Sequence, residues 1–319
     1  MFIPEVEEPS SIERLKDLAE VKTGVAGRSY SEEELVRELS DVDVVLITSH
    51  YRITRKIIEN APKLRGIVKY GSRPGIDNVD IAAATERGIL VAYTEGANAD
   101  SVAEFTVMLI LALAKRLPNI LSHVKSHAWR DDSCLGLELV GKIVGIVGLG
   151  MIGSKVAQKL SGLGMEVIAT DPYVTNEKAS FVHAKLVDLE TLLRKSDVVT
   201  LHAKVTDETK RMIGKKELAL MKPSAYLINT SRGILTDEKD LYAALRARKI
   251  AGAALDVFEI EPPPRDNPLL SLDNVILTPH VSSWTTDALR KESSMAIEEV
   301  RRILTGKRPM NLANPEALT

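Results

Sequence analysis

Apolar and polar positions alternate along this chain in short blocks, β-branched runs followed by stretches of helical spacing. Residues 42–48 and 66–70 are apolar runs that predict strands, and 54–60 between them predicts a short helix stopped by Pro62. A helix at 79–87, stopped by Gly88, and a strand at 89–93 complete one α/β layer with no phosphate loop of its own. Asp100 and Ser101 then cap a long helix, 102–117, ended by Pro118. Its nearly continuous apolar surface suits burial between two bodies. Beyond it, strands at 143–147 and 165–169 flank a helix at 152–163 stopped by Gly164. Further strands fall at 198–202, 226–229, 252–255 and 275–278, with helices between them, one at 239–248. A last helix, 286–305, carries Leu289, Ile297, Val300, Ile303 and Leu304 on a face suited to packing on the first layer. Such alternation predicts parallel sheets.

The block around residue 148 also carries chemistry. Gly148, Gly150 and Gly153 form G-x-G-x-x-G between a strand and a helix, and a second strand ends at Asp171, 18 residues after Gly153. The first glycine permits the tight turn, the second admits a pyrophosphate close to the backbone, and the third lets helix and strand pack closely. The helix N-terminus offers unpaired N–H groups to the phosphates. Asp171 is placed to accept from an adenosine ribose and to repel a 2′-phosphate, and Pro172-Tyr173-Val174 offers no arginine to receive one. NAD is therefore favoured over NADP. The alternative is an aspartate that only caps the strand end.

The fold class that follows is α/β with two doubly wound parallel-sheet domains. A Rossmann NAD-binding domain, residues 101–284, is inserted into a discontinuous flavodoxin-like substrate domain formed by 1–100 and 285–319. A length of 319 residues allows two sizeable cores. The net charge of −2 gives no bias toward nucleic acid or a membrane surface. The longest apolar run, 105–114, is far short of a bilayer span. No signal peptide is read at the N-terminus. The single cysteine, Cys134, excludes an intrachain disulfide and suits a reducing cytoplasm. No histidine neighbours it in sequence, so it reads as an inert thiol, and no metal site is assigned.

Three residues then sit at predicted strand ends: Arg232, Glu261 and His280. In an open α/β sheet those ends face the ligand crevice. An arginine there can hold a carboxylate bidentately. A histidine can give or take a carbinol proton, and a neighbouring carboxylate orients it and favours its charged form. Singly each has a plainer role: a surface ion pair, a solvated acid, a turn hydrogen bond. Together, beside an NAD motif, they are the parts that hydride transfer to a 2-keto acid requires.

The chain resembles the D-isomer-specific 2-hydroxyacid dehydrogenase family along nearly its whole length. The resemblance rests on Gly141-Lys-Ile-Val-Gly-Ile-Val-Gly-Leu-Gly-Met-Ile-Gly153, Met221-Lys-Pro223, Leu227-Ile-Asn-Thr-Ser-Arg-Gly233, Gly252-Ala-Ala-Leu-Asp-Val-Phe-Glu259 and Thr278-Pro-His280, with Ala97-Asn98 and Ser101-Val-Ala-Glu104. It implies Arg232 as substrate anchor, His280 as acid/base and Glu261 as its partner. It places Tyr70, Gly71, Ser72 and Asn98 on the substrate side together with Arg232 and His280; Arg73, in the same loop, is either a second anchor for the substrate or a solvent- or partner-facing residue that stiffens the loop beside Pro74. It implies NAD contacts from Gly148, Gly150, Met151, Ile152, Gly153, Asp171, His202, Ala203, Thr209, Thr230, Ser231, Arg232, Asp256 and His280. It also implies a homodimer through the cofactor domain.

Departures from the family pattern bear on substrate. The loop from Gly71 to Asp80 is two residues longer than usual and carries Arg73. Thr48 stands where phosphoglycerate members tend to carry an arginine. The expected substrate is a small 2-keto or 2-hydroxy acid of the 3-phosphoglycerate/phosphohydroxypyruvate or glycerate/hydroxypyruvate type. The alternative is a non-catalytic NAD(H)-sensing protein of the corepressor type. A formate-dehydrogenase-like enzyme pairs its histidine with glutamine, and Glu261 argues against it.

Overall fold

The computed structural model describes residues 1–6, 8–25, 27–48, 50–71 and 78–318. The chain divides into two compact units, Met1–Asn98 with Trp284–Thr319, and Ala99–Ser283. The first holds β1 (Phe2–Ile3), α1 (Ser10–Lys16), β2 (Lys22–Thr23), α2 (Glu32–Leu39), β3 (Val44–Ile47), α3 (Arg55–Glu59), β4 (Gly66–Lys69), α4 (Ile81–Glu86) and β5 (Leu90–Tyr93). Its strands pair in parallel in the order β2-β1-β3-β4-β5, the flavodoxin-like arrangement. Every residue of β3 and β4 is buried, as expected of strands covered on both faces.

The second unit opens with α5 (Ala99–Ala114) and α6 (Leu117–Lys125). There follow β6 (Ile143–Val147), α7 (Met151–Gly162), β7 (Glu166–Thr170), α8 (Asn176–Phe181), β8 (Ala184–Leu186), α9 (Leu189–Lys195) and β9 (Val198–Leu201). The unit closes with α10 (Lys215–Leu220), β10 (Tyr226–Asn229), α11 (Glu238–Arg246), β11 (Gly252–Leu255) and β12 (Val275–Leu277). Its strand order, β12-β11-β10-β9-β6-β7-β8, is also parallel throughout. The order reverses between β6 and β9, so the glycine loop after β6 lies at the switch point where doubly wound sheets bind ligands. Helix α12 (Thr286–Leu304) returns to the first unit and packs on β3, β4 and β5. Ile297, Val300 and Ile303 are buried on that face, as the spacing predicts.

The long central helix differs from its expected form. Helix α5 begins at Ala99, so Asp100 lies in its first turn and bonds Lys155 Nζ at 2.8 Å instead of serving as the cap. The helix stops at Ala114, and Arg116 takes a left-handed conformation at φ 51°. Pro118 then sits in the first turn of α6, where a missing N–H leaves no bond unmade, so it opens a second helix rather than ending the first. Helix α5 packs on α7, β10 and β11 within its own unit. Among the described residues no single helix is long and apolar enough to cross a membrane; α5 and α6 reach that composition only jointly, across a 63° bend.

Strands β1, β2 and β8 and the helices beside them were not legible in the pattern. A two- or three-residue strand shows no period. Helix α12 hides a second departure, because Glu292 and Glu299 are buried on its packed face. Glu299 accepts N–H bonds from Met310 and Asn311 at 2.9 and 3.0 Å and thereby ties down the segment that follows.

Candidate active site

The second sheet brings Arg232, Glu261 and His280 together: Arg232 and His280 lie three residues past the ends of β10 and β12, and Glu261 lies in the loop after β11. The Nδ1–H of His280 donates to Glu261 Oε2 at 2.6 Å, which leaves Nε2 for a reacting group. The other Glu261 oxygen accepts the Phe258 N–H at 3.0 Å. Burial works to raise the Glu261 pKa, but the His280 hydrogen bond and charge, the Phe258 N–H and the charge of Arg232 hold it below the usual carboxylate range. His280 itself takes a left-handed backbone at φ 54°, an uncommon conformation that needs support from its surroundings.

That support comes from Asp256, which is fully buried at the end of β11. Its carboxylate accepts from Thr278 Oγ1 at 2.6 Å and from the N–H groups of Val281 and Ser282 at 3.0 and 2.8 Å. Three bonds from one acid hold the chain on both sides of the histidine. The resemblance assigns Asp256 to the nicotinamide side; in the fold its carboxylate positions the His280 loop. Arg232 is held by a similar device. Asn229, buried at the end of β10, accepts the Ser231 N–H at 3.0 Å and donates to the Arg232 carbonyl at 2.9 Å. Asn229 was overlooked in the sequence, although an asparagine followed by Thr-Ser-Arg is an Asx-turn signal. Arg232 Nη1 donates to the Ser231 carbonyl at 2.7 Å. The remaining donors of its fork point to no partner among the described residues.

The cofactor loop depends on its glycines for space. Gly148 has φ +91°, and a Cβ there would stand 2.6 Å from the Ala203 nitrogen. A Cβ on Gly153 would stand 2.1 Å from the Gly148 carbonyl oxygen. Gly150 is the opposite case: nothing lies within 4 Å of its Cβ position, and it caps α7 without a side-chain bond. The loop is tightly packed below and open above, where the uncapped helix end presents its N–H groups, with Met151 and Ile152 leading the first turn. These residues fit a dinucleotide pyrophosphate.

Asp171 follows β7 and accepts the Leu149 N–H on one oxygen at 2.8 Å and the Tyr173 N–H on the other at 2.9 Å. It therefore braces the glycine loop, and each carboxylate oxygen keeps lone pairs for a ribose hydroxyl. Burial pushes the His202 pKa down to about 3, and its Nε2 lies 2.9 Å from Thr200 Oγ1. A neutral ring follows at physiological pH. Ser231 Oγ donates to the Ala203 carbonyl at 3.1 Å, Thr230 Oγ1 pairs with Thr106 Oγ1 at 2.8 Å, and Thr209 Oγ1 donates to the Lys204 carbonyl at 2.6 Å. Thr209 thus shapes its own loop, whereas Ser231 and Thr230 tie the loop after β10 to the segment after β9 and to α5.

Of the substrate-side residues, Ser72 and Arg73 lie outside the described residues. Within the first unit, the Gly71 N–H donates to Thr94 Oγ1 at 2.7 Å, and the Tyr70 carbonyl accepts from the buried Lys69 Nζ at 2.7 Å. Asn98 Nδ2 donates to Glu292 Oε1 at 2.9 Å. Burial raises Glu292 to a pKa of about 7 against the opposing pull of Lys69 and Asn98.

Residues 107–282 match the D-isomer specific 2-hydroxyacid dehydrogenase, NAD binding domain. The chain belongs to that family. It is 41% identical over 310 residues to a D-3-phosphoglycerate dehydrogenase of Methanocaldococcus jannaschii, covering 97% of this chain but 59% of that protein. It is 40% identical over 293 residues to a glyoxylate reductase of Thermofilum pendens, covering 90% of this chain and 86% of the other. Among solved structures, a D-lactate dehydrogenase of Aquifex aeolicus complexed with NAD and lactic acid superposes with a TM-score of 0.86 at 31% identity, covering 98% of both chains. The family's cofactor is NAD(H), and the second unit carries the family's NAD-binding fold.

Proposed function

We propose that this chain is an NAD-dependent D-2-hydroxyacid dehydrogenase that interconverts a small 2-keto acid and its 2-hydroxy acid. The observation that carries the reading is the His280–Glu261 pair, 2.6 Å apart, beside Arg232 on the sheet that carries the glycine cradle. Bound NADH supplies the hydride. In the reducing direction His280 Nε2 gives its proton to the keto oxygen as negative charge builds there, and Glu261 holds the ring at Nδ1 while it is charged. The Arg232 fork anchors the substrate carboxylate and polarises the carbonyl. Met151, Ile152 and the three glycines receive the pyrophosphate, and Asp171 accepts from the ribose and disfavours a 2′-phosphate. Residues Ala203, Thr209, Thr230, Ser231 and Asp256 complete the cofactor side. Tyr70, Gly71, Ser72 and Asn98 serve the substrate.

The first unit favours an unphosphorylated substrate. Thr48 Oγ1 donates to Glu5 Oε2 at 2.8 Å, and His50 Nδ1 meets the same oxygen at 2.9 Å. An acid beside the position where phosphoglycerate members tend to place an arginine disfavours a phosphate group. Hydroxypyruvate and glycerate are therefore the preferred pair over phosphohydroxypyruvate and 3-phosphoglycerate. Arg73 is proposed as a further anchor for a polar substrate tail.

A homodimer formed through the second unit, in the cytoplasm, belongs to the same proposal. No residue of α6 is buried, and Leu121, Val124, Trp129, Leu135 and Val140 are more than half exposed on this segment and the one after it. Such a run of bare apolar side chains suits a second copy.

NADH oxidation across hydroxypyruvate, phosphohydroxypyruvate, glyoxylate and pyruvate tests the reading. Turnover is expected, fastest per unit KM with hydroxypyruvate, and far slower with NADPH. Tight NADH binding with no turnover on any 2-keto acid would instead support the NAD(H)-sensing alternative.

A further inference from the structure

The sequence offers Cys134 no histidine neighbour, but the fold corrects that reading. Helix α6 and the turn at Asp132–Cys134 fold so that a ring nitrogen of His123, a carboxylate oxygen of Asp131 and the Cys134 sulfur all lie within 4.8 Å of one another. Two of the three ligands are held by neighbours. The Nδ1–H of His123 donates to the Asn119 carbonyl at 3.0 Å, which turns Nε2 toward the cluster. Asp131 Oδ1 is taken by the Ser133 N–H and hydroxyl at 2.8 and 2.6 Å, which leaves Oδ2 facing His123 Nε2 at 3.1 Å. Two ligands bound about 2.1 Å from a tetrahedral ion stand roughly 3.4 Å apart, so this pair is near the required spacing. Histidines that ligate metals commonly donate their second ring N–H to a carbonyl, as His123 does.

We propose that His123, Asp131 and Cys134 form a binding site for a transition-metal dication of the zinc type. Imidazole nitrogen, thiolate sulfur and a single carboxylate oxygen suit zinc or cobalt and do not suit calcium or magnesium. Three protein ligands leave a fourth position for water. On binding, the Cys134 thiol and the His123 Nε2–H each release a proton, and the ion takes the lone pairs they leave. The cluster shares no residue with the Arg232, Glu261 and His280 group, and its effect is structural: it staples α6 to the turn that follows. Without metal, the hydrogen bond between His123 and Asp131 holds the same turn more weakly.

Because Cys134 is the chain's only cysteine, a thiolate signal has one possible origin. Chelator-stripped full-length protein is titrated with Co²⁺ and followed by absorption, and with Zn²⁺ by calorimetry. The expected result is one ion per chain and a sulfur-to-cobalt charge-transfer band. In Cys134→Ser that band is lost and Zn²⁺ affinity falls about tenfold or more; His123→Ala weakens Zn²⁺ binding similarly. Cys134→Ser is close to isosteric, so it decides the matter even where His123→Ala does not fold. Cobalt bound without a thiolate band, or Zn²⁺ affinity unchanged in Cys134→Ser, overturns the proposal.

Discussion

At the scale of single residues, two carboxylates show how burial and neighbours set opposite behaviours. Burial works to raise the Glu261 pKa, but His280, the Phe258 N–H and Arg232 hold it below the ordinary range, so it is ionised at neutral pH. His280→Ala is expected to lower kcat about 100-fold or more while fluorescence titration shows NADH binding intact. Glu261→Gln keeps the hydrogen bond but not the charge held against the ring, so kcat for reduction should fall about tenfold or more while NADH binding holds; an unchanged kcat would sink the pairing. Glu292 goes the other way. Its pKa of about 7 lies above the unfolded value of 4.5, so the folded state prefers its protonated form. Stability is full below pH 4.5 and declines as pH rises toward 7, by roughly 3 kcal/mol at most. Glu292→Gln should therefore stabilise the protein at pH 8 and change little at pH 4.5, as read by chemical denaturation.

At the scale of elements, the strand–loop–helix β6–α7 performs two tasks that separate cleanly between glycines. Gly153→Ala drives a Cβ to 2.1 Å from the Gly148 carbonyl and should lower both thermal stability and NADH affinity. Gly150→Ala meets open space, so the melting temperature should hold while NADH affinity drops about tenfold or more. Equal NADH affinity in Gly150→Ala would refute the pyrophosphate cradle. Elements with a full period of apolar residues, such as β3, β4, β6 and α12, were legible in the sequence. The break between α5 and α6 was not, since a proline ends one helix and starts another by the same chemistry.

At the scale of the whole molecule, the exposed apolar side chains of α6 and the following segment predict self-association. Val124→Glu combined with Trp129→Glu should shift the protein from dimer to monomer in sedimentation velocity, because each charge would be desolvated at the interface. A protein that sediments as a monomer before mutation would remove the dimer from the proposal.

The sequence by itself determined the parallel α/β class and the strand–glycine loop–helix unit, and it singled out Arg232, Glu261 and His280, which the fold brings onto one sheet. Glycine spacing and short apolar runs are local properties, so they carry over directly into the loop and the strands. What only the tertiary structure decided are the partnerships between distant segments. Asp256 clamps the loop of His280, 24 residues on; Asn98 meets Glu292; and His123 meets Cys134. A buried carboxylate needs donors to offset its desolvation, and those donors come from whichever segments the sheet order places beside it. No periodicity along the chain encodes that choice.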